Sequence, residues 1–203
     1  VQGGALHVEC AILYRTNAQS RALEEALRRA GVPYRIVGSI SFYDRREVKD
    51  LLAYLRLIAN PSDDEAFLRA VGVPRRGVGD SSLVMLAEQA RQWNLAMLAT
   101  AERAEMINGL RPNLRQALTT FAAQVNDVRT RVGESAPVLV MEELIRVLDY
   151  EKVLMAEGLE GADRWENVRA MVAGAAEWSE VISEDDEPGT PLPISEPPTV
   201  PPA

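Results

Sequence analysis

The chain has 203 residues, of which 47% are hydrophobic and 5% aromatic, and it carries a net charge of −8, so it holds enough apolar material for a substantial core. A single cysteine, Cys10, and a single histidine, His7, exclude a disulfide framework and a Cys/His metal site. The absence of any long apolar run points to a cytoplasmic protein with no membrane partner.

The first predicted element is a strand over about 8–14, containing Ala11-Ile12-Leu13, with Cys10 beside it as an inert buried thiol. A helix follows from the Asn17/Ser20 region to Ala30, with Leu23, Leu27 and Ala30 on one stripe. Gly31 suits the position just past a helix end and Pro33 stops its continuation. Tyr34-Arg35-Ile36-Val37 is the second strand. Two strands and one helix cannot close a core, so this piece needs a partner from outside the chain.

From residue 44 the pattern is helical almost throughout. Asp44-Arg45-Arg46-Glu47 has the form of a capping box, followed by Val48, Leu51, Leu52, Leu55 and Ile58 at helical spacing and by Asn60-Pro61 as the stop. Phe67, Leu68 and Val71 mark a short helix after Asp63-Asp64. The turn Val73–Ser82 opens a helix with Leu83, Leu86 and Ala90. A long helix covers about Pro112–Val132, and Pro137 stands at the first position of a helix over 137–149. Asp163-Arg164-Trp165-Glu166 repeats the capping-box form before Val168, Met171, Val172 and Ala175. Met85, Met141, Met171 and Trp178 fall on helical stripes as core residues. Residues 186–203 hold seven of the twelve prolines and, with the acidic run Glu184–Glu187, read as a disordered tail. The predicted fold class is therefore mainly α: a helical domain over 38–183, preceded by a small strand-helix-strand α/β piece over 1–37 and followed by an acidic, Pro-rich tail over 184–203.

No Gly-Lys pair exists, hence no GxxxxGK[ST] loop; GxGxxG, GxSxG, HExxH and CxxC are also missing. No catalytic constellation can be assembled, so the site residues sought are binding residues. The overall acidity argues against a general polyanion binder, but the charge is uneven. Residues 1–79 carry 12 Arg/Lys against 9 Asp/Glu, and residues 80–203 carry 10 against 21. Two places in or near the basic part suit nucleic acid. In the first, Arg75-Arg76-Gly77-Val78-Gly79-Asp80-Ser81-Ser82, two glycines let the backbone approach a phosphate. The amides at the following helix N-terminus favour an anion, as do Ser81, Ser82, Arg75 and Arg76. The same residues serve equally as a plain turn with Asp80 as helix cap. The second is Tyr14-Arg15-Thr16-Asn17 at the end of the predicted strand, where Arg15 and Asn17 can hold a single-strand phosphate; the alternative is an exposed Arg15 with Asn17 or Ser20 capping the helix.

Taken together, YRTNAQSR (14–21), FYDRREVKDLLAYLRLIANPSDD (42–64) and the P-x-R-G-[IV]-G turn (74–79) resemble the UvrD/PcrA/Rep group of superfamily 1A helicases. The resemblance is dense over residues 4–83 and continues more weakly to about 180. It implies that residues up to about 37 begin the second motor domain, 2A, and that those from 38 form the helical 2B domain inserted in it. It further implies an ATP-dependent 3′→5′ DNA helicase, with Arg15 and Asn17 on the single strand. Gly77, Val78, Gly79, Ser81 and Ser82, together with Lys49, would lie on the duplex. ATP and Mg would belong to the parent enzyme and not to this chain, which lacks the Walker motifs and is expected to be inactive alone. DNA at a single-strand/duplex junction, domains 1A and 1B and the rest of 2A are the implied partners. The alternative is a non-catalytic DNA-binding or regulatory protein-interaction module that uses the acidic helices after residue 132.

Overall fold

A computed structural model describes residues 6–7, 10–15, 19–37 and 41–184, with side chains through residue 177. Its core is organised around Phe121, whose ring meets that of Phe67 edge-on at 5.3 Å between centroids and lies 5.9 Å from that of Tyr54. Each ring belongs to a different helix, and each helix presents an apolar stripe at a spacing of three and four residues. Among the described residues the helices are α1 (Ser20–Arg29), α2 (Arg46–Ala59), α3 (Asp64–Ala70), α4 (Asp80–Trp93), α5 (Met97–Ala101), α6 (Pro112–Val132), α7 (Pro137–Leu148), α8 (Tyr150–Met155) and α9 (Leu159–Glu184). Single 3₁₀ turns occupy Phe42–Asp44 and Ala104–Met106. The fold is mainly helical, as the periodicity predicts.

Helix α2 lies at the centre, packed on α3, α6, α7 and α9, while α6 also contacts α5 and α7. Val48, Leu51 and Leu57 from α2, Phe67 and Ala70 from α3, Leu86 from α4, Leu118 and Phe121 from α6 and Val168 from α9 are all out of contact with water. Removing such side chains from water is the main force holding the bundle together. Helix ends follow local chemistry. Asp63 caps α3 by accepting the Ala66 N–H at 2.9 Å. Pro112 and Pro137 open α6 and α7, where their missing N–H costs nothing. Gly31, at φ +63°, ends α1 while the Val32 N–H reaches back to the Leu27 carbonyl at 2.9 Å.

Three expectations are corrected. First, the strand-helix-strand piece is not seen: residues 10–15 and 32–37 form no strand. Among the described residues their backbone groups have no neighbouring strand to pair with, and Ile12, Leu13 and Val37 stand 54%, 94% and 82% exposed. For the same reason Cys10 is exposed and not buried. Second, Asp44 does not cap α2. It closes a 3₁₀ turn and pairs with Lys49 at 2.7 Å, leaving Arg45 at the N-cap without a side-chain cap bond. Third, the capping box at Asp163 is absent because α9 already starts at Leu159 and runs through it. Residues 185–203, which include the Pro-rich stretch, and the side chain of Trp178 lie outside the described residues.

A polar network docks α1 on the helical body. Arg45, 7% exposed, donates to Asn167 Oδ1 at 2.6 Å and to Ser20 Oγ at 2.9 Å. The Asn167 amide donates in turn to Glu47 Oε1 at 2.6 Å. Beside it the buried Glu24 accepts the Phe42 N–H at 3.0 Å and the Ser41 hydroxyl at 2.7 Å. Arg21 lies so close over Gly174 that a Cβ there would clash with its guanidinium, and it pairs with Glu25 and Glu177 at 3.0 and 3.4 Å. Charges this buried persist only when their hydrogen bonds are satisfied. Asn167→Ala removes the group shared by Arg45 and Glu47 and is expected to lower stability by about 2–3 kcal/mol. In urea unfolding the midpoint should fall while the slope is unchanged; an unchanged midpoint would show that the network is not holding α1.

Candidate nucleic-acid interface

The turn between α3 and α4 is built from below. Arg76, half-buried, folds back under it. Its Nη1 donates to the carbonyls of Pro74 and Val71 at 3.0 and 3.3 Å. Its Nη2 donates to Tyr54 Oη and Gln124 Oε1 at 3.0 and 3.3 Å, and the guanidinium rests 5.0 Å over the Phe121 ring. Tyr54 donates its own hydroxyl to the Val73 carbonyl. The planar fork of the arginine thus ties α2, α6 and the turn into one unit, a geometry that lysine cannot supply. In this arrangement Arg76 is a supporting strut for the turn.

The top of the turn is open. Gly77 has φ +74°, which favours glycine, and a Cβ added at Gly77 or Gly79 would meet no atom within 4 Å. Gly79 is the N-cap of α4 in extended conformation, so Asp80 is the first helical residue and not the cap. The N–H groups of Ser82 and Leu83 both bond the Gly79 carbonyl, at 3.0 and 3.1 Å. The amides of Asp80 and Ser81 have no backbone acceptor among the described residues, and they carry the positive end of a 14-residue helix. Arg75 and Ser81 are exposed and Val78 is half-buried against the core. Ser82 is 6% exposed. Of the predicted turn residues, then, Arg75, Gly77, Gly79 and Ser81 are exposed, while Arg76 and Val78 are half-buried and Ser82 is buried.

Other candidates lie apart. Lys49 is on an exposed face of α2, paired with Asp44. Arg15 is exposed, its backbone N–H donating to Gln19 Oε1 at 3.0 Å. Neither has a hydrogen bond or ion pair to the turn among those found in the described residues. Asn17 lies outside the described residues. Tyr54 and Gln124, which sequence reasoning missed, act on the turn from 22 and 48 residues away; no local pattern could have revealed them. No group of three or more His, Cys, Asp or Glu among the described residues can hold a metal ion, and no described helix is long and apolar enough to cross a membrane.

The open turn on a half-buried arginine strut gains its context from comparison with known proteins. The model of the UvrD-like helicase C-terminal domain matches residues 5–186. The chain belongs to this family. It is 41% identical over 161 residues to the ATP-dependent DNA helicase PcrA of Bacillus subtilis, covering 79% of this chain and 22% of that protein. It is 38% identical over 191 residues to DNA helicase II of Escherichia coli, covering 94% and 26% respectively. With PcrA of Staphylococcus aureus it shares 36% over 192 residues, covering 94% and 25%. The chain thus spans about a quarter of the length of these relatives.

Burial pushes the Tyr54 phenol up to about 12, against a partial opposing pull from Arg76. A folded-state value above the ordinary 10.0 means that this hydroxyl's contribution is complete below pH 10 and is lost as the pH rises through about 12. Alkaline ultraviolet titration of the wild type minus Tyr54→Phe should therefore isolate a transition near pH 12; one near 10 would place the hydroxyl in solvent.

Proposed function

We propose that this segment is the duplex-gripping part of an ATP-dependent 3′→5′ DNA helicase. Residues 1–37 contribute to its second motor domain and residues 38–183 form the helical domain inserted there. The relatives' names, ATP-dependent DNA helicase and DNA helicase II, support the parent activity. ATP and Mg belong to the remainder of the parent enzyme, and this chain alone is inactive as an ATPase because it has no phosphate-gripping loop. A cleft of about 880 Å³ lined by Ile12, Leu13, Leu23, Leu27, Ile36 and Val37 supports completion of the N-terminal piece by further motor-domain strands.

The observation that carries the reading is the open turn: two amides without backbone acceptors at the start of α4, Arg75 and Ser81 beside them, and no side chain over Gly77 or Gly79. Such a surface binds a sugar-phosphate backbone without reading bases. Arg15 and Asn17 are assigned to the single strand, and Lys49 to the flank of the duplex. The acidic remainder of the chain keeps affinity low and steeply salt-dependent.

Fluorescence anisotropy with the 203-residue chain and a hairpin duplex bearing a 3′ single-stranded tail, at low salt, tests this. Arg75→Ala combined with Ser81→Glu removes a cation and sets a carboxylate among the amides. It should weaken binding roughly tenfold and lower the salt slope by about 1. If the double variant binds as wild type does, the turn is not the grip; if the wild type does not bind, the chain is better read as a protein-interaction module.

A further inference from the structure

Resting on that reading, we propose that α6 supplies a second contact to the duplex through an uncharged stripe. Asn113, Gln116, Thr120 and Gln124 recur at three- and four-residue steps along one face of α6. The first three are exposed and Gln124 is half-buried. With Pro74 and Arg76 they line an open hollow of about 370 Å³, and Gln124 is bonded to Arg76 itself at 3.3 Å. The stripe thus reaches the segment that enters the turn, at Pro74 and Arg76.

Charge makes the surface stand out. In a half of the chain where carboxylates outnumber cations, residues 106–126 contain no Asp or Glu and include Arg111 and Arg115. A phosphate approaching this face meets no opposing carboxylate from α6 until Asp127. The stripe's own side chains are amides and a hydroxyl, which donate to phosphate and sugar oxygens without a fixed charge. Only one bond is used within it, from Gln116 Nε2 to Thr120 Oγ1 at 3.2 Å, and that bond exchanges readily for an external acceptor. From Asn113 to Gln124 the helix rises about 16 Å, comparable to four or five steps of duplex at about 3.4 Å each. A protein partner fits this surface poorly: its hollow offers no exposed large apolar side chain to bury.

Duplex binding by the 203-residue chain at low salt supplies the test. Gln116→Glu with Thr120→Glu should weaken binding about fivefold, and Gln116→Lys with Thr120→Lys should tighten it and steepen the salt slope by up to about 2. The same charges placed at Gln92, at the far end of α4, should change neither. These positions are exposed, so melting temperatures should match the wild type and exclude misfolding as the cause. If neither pair of substitutions changes affinity while the turn variant still weakens it, the second contact is overturned and the turn's role survives. If the turn variant also has no effect, or the wild type binds no duplex, the duplex-gripping reading fails and takes this inference with it.

Discussion

The guanidinium of Arg76 is the constraint on which the rest of the site depends. It joins an aromatic ring in α6, a phenol in α2 and two carbonyls of the chain entering the turn. Each of those partners is itself fixed by the core: Tyr54 and Phe121 are among the largest fully buried side chains. Backbone amides bind an anion well only when they are held in place beforehand, because otherwise ordering them consumes the binding energy. The bundle therefore serves the turn as a rigid foundation, and the open glycines above it are free to be bare.

How much of this was legible in the sequence follows from the range of the forces involved. The ends of α6 and α7 could be read from Pro112 and Pro137 because proline acts on its own residue. Gly31 and Asp63 were readable for the same reason. The helix stripes were readable because burial imposes a period on neighbouring residues. Where an interaction runs across the fold, local rules failed. Asp44 and Glu47 have the spacing of a capping box, but Lys49 and Asn167 take their carboxylates instead. Asp163 looks like a cap, yet α9 gains more by starting a turn earlier over α8.

The site divides in the same way. Gly77 and Gly79 announced a tight turn, and positive φ at Gly77 agrees. The doublet Arg75-Arg76, in contrast, looks like two equal cations in the sequence but holds one exposed and one inward-turned side chain. That difference is set by Phe121 and Gln124, far along the chain. The N-terminal residues show the limit from the other side. Ala11-Ile12-Leu13 has the composition of a buried strand, and pairing partners decide whether it becomes one.

The docking of α1 has a topological corollary. Arg45 bonds both Ser20 and Asn167, the latter 122 residues away, so the start of α1, the approach to α2 and the body of α9 meet at one point. A body joined in this way is held to its first helix at a single point. That joint is a short, polar seam, and the seating of α1 on the body rests on a handful of hydrogen bonds around one arginine.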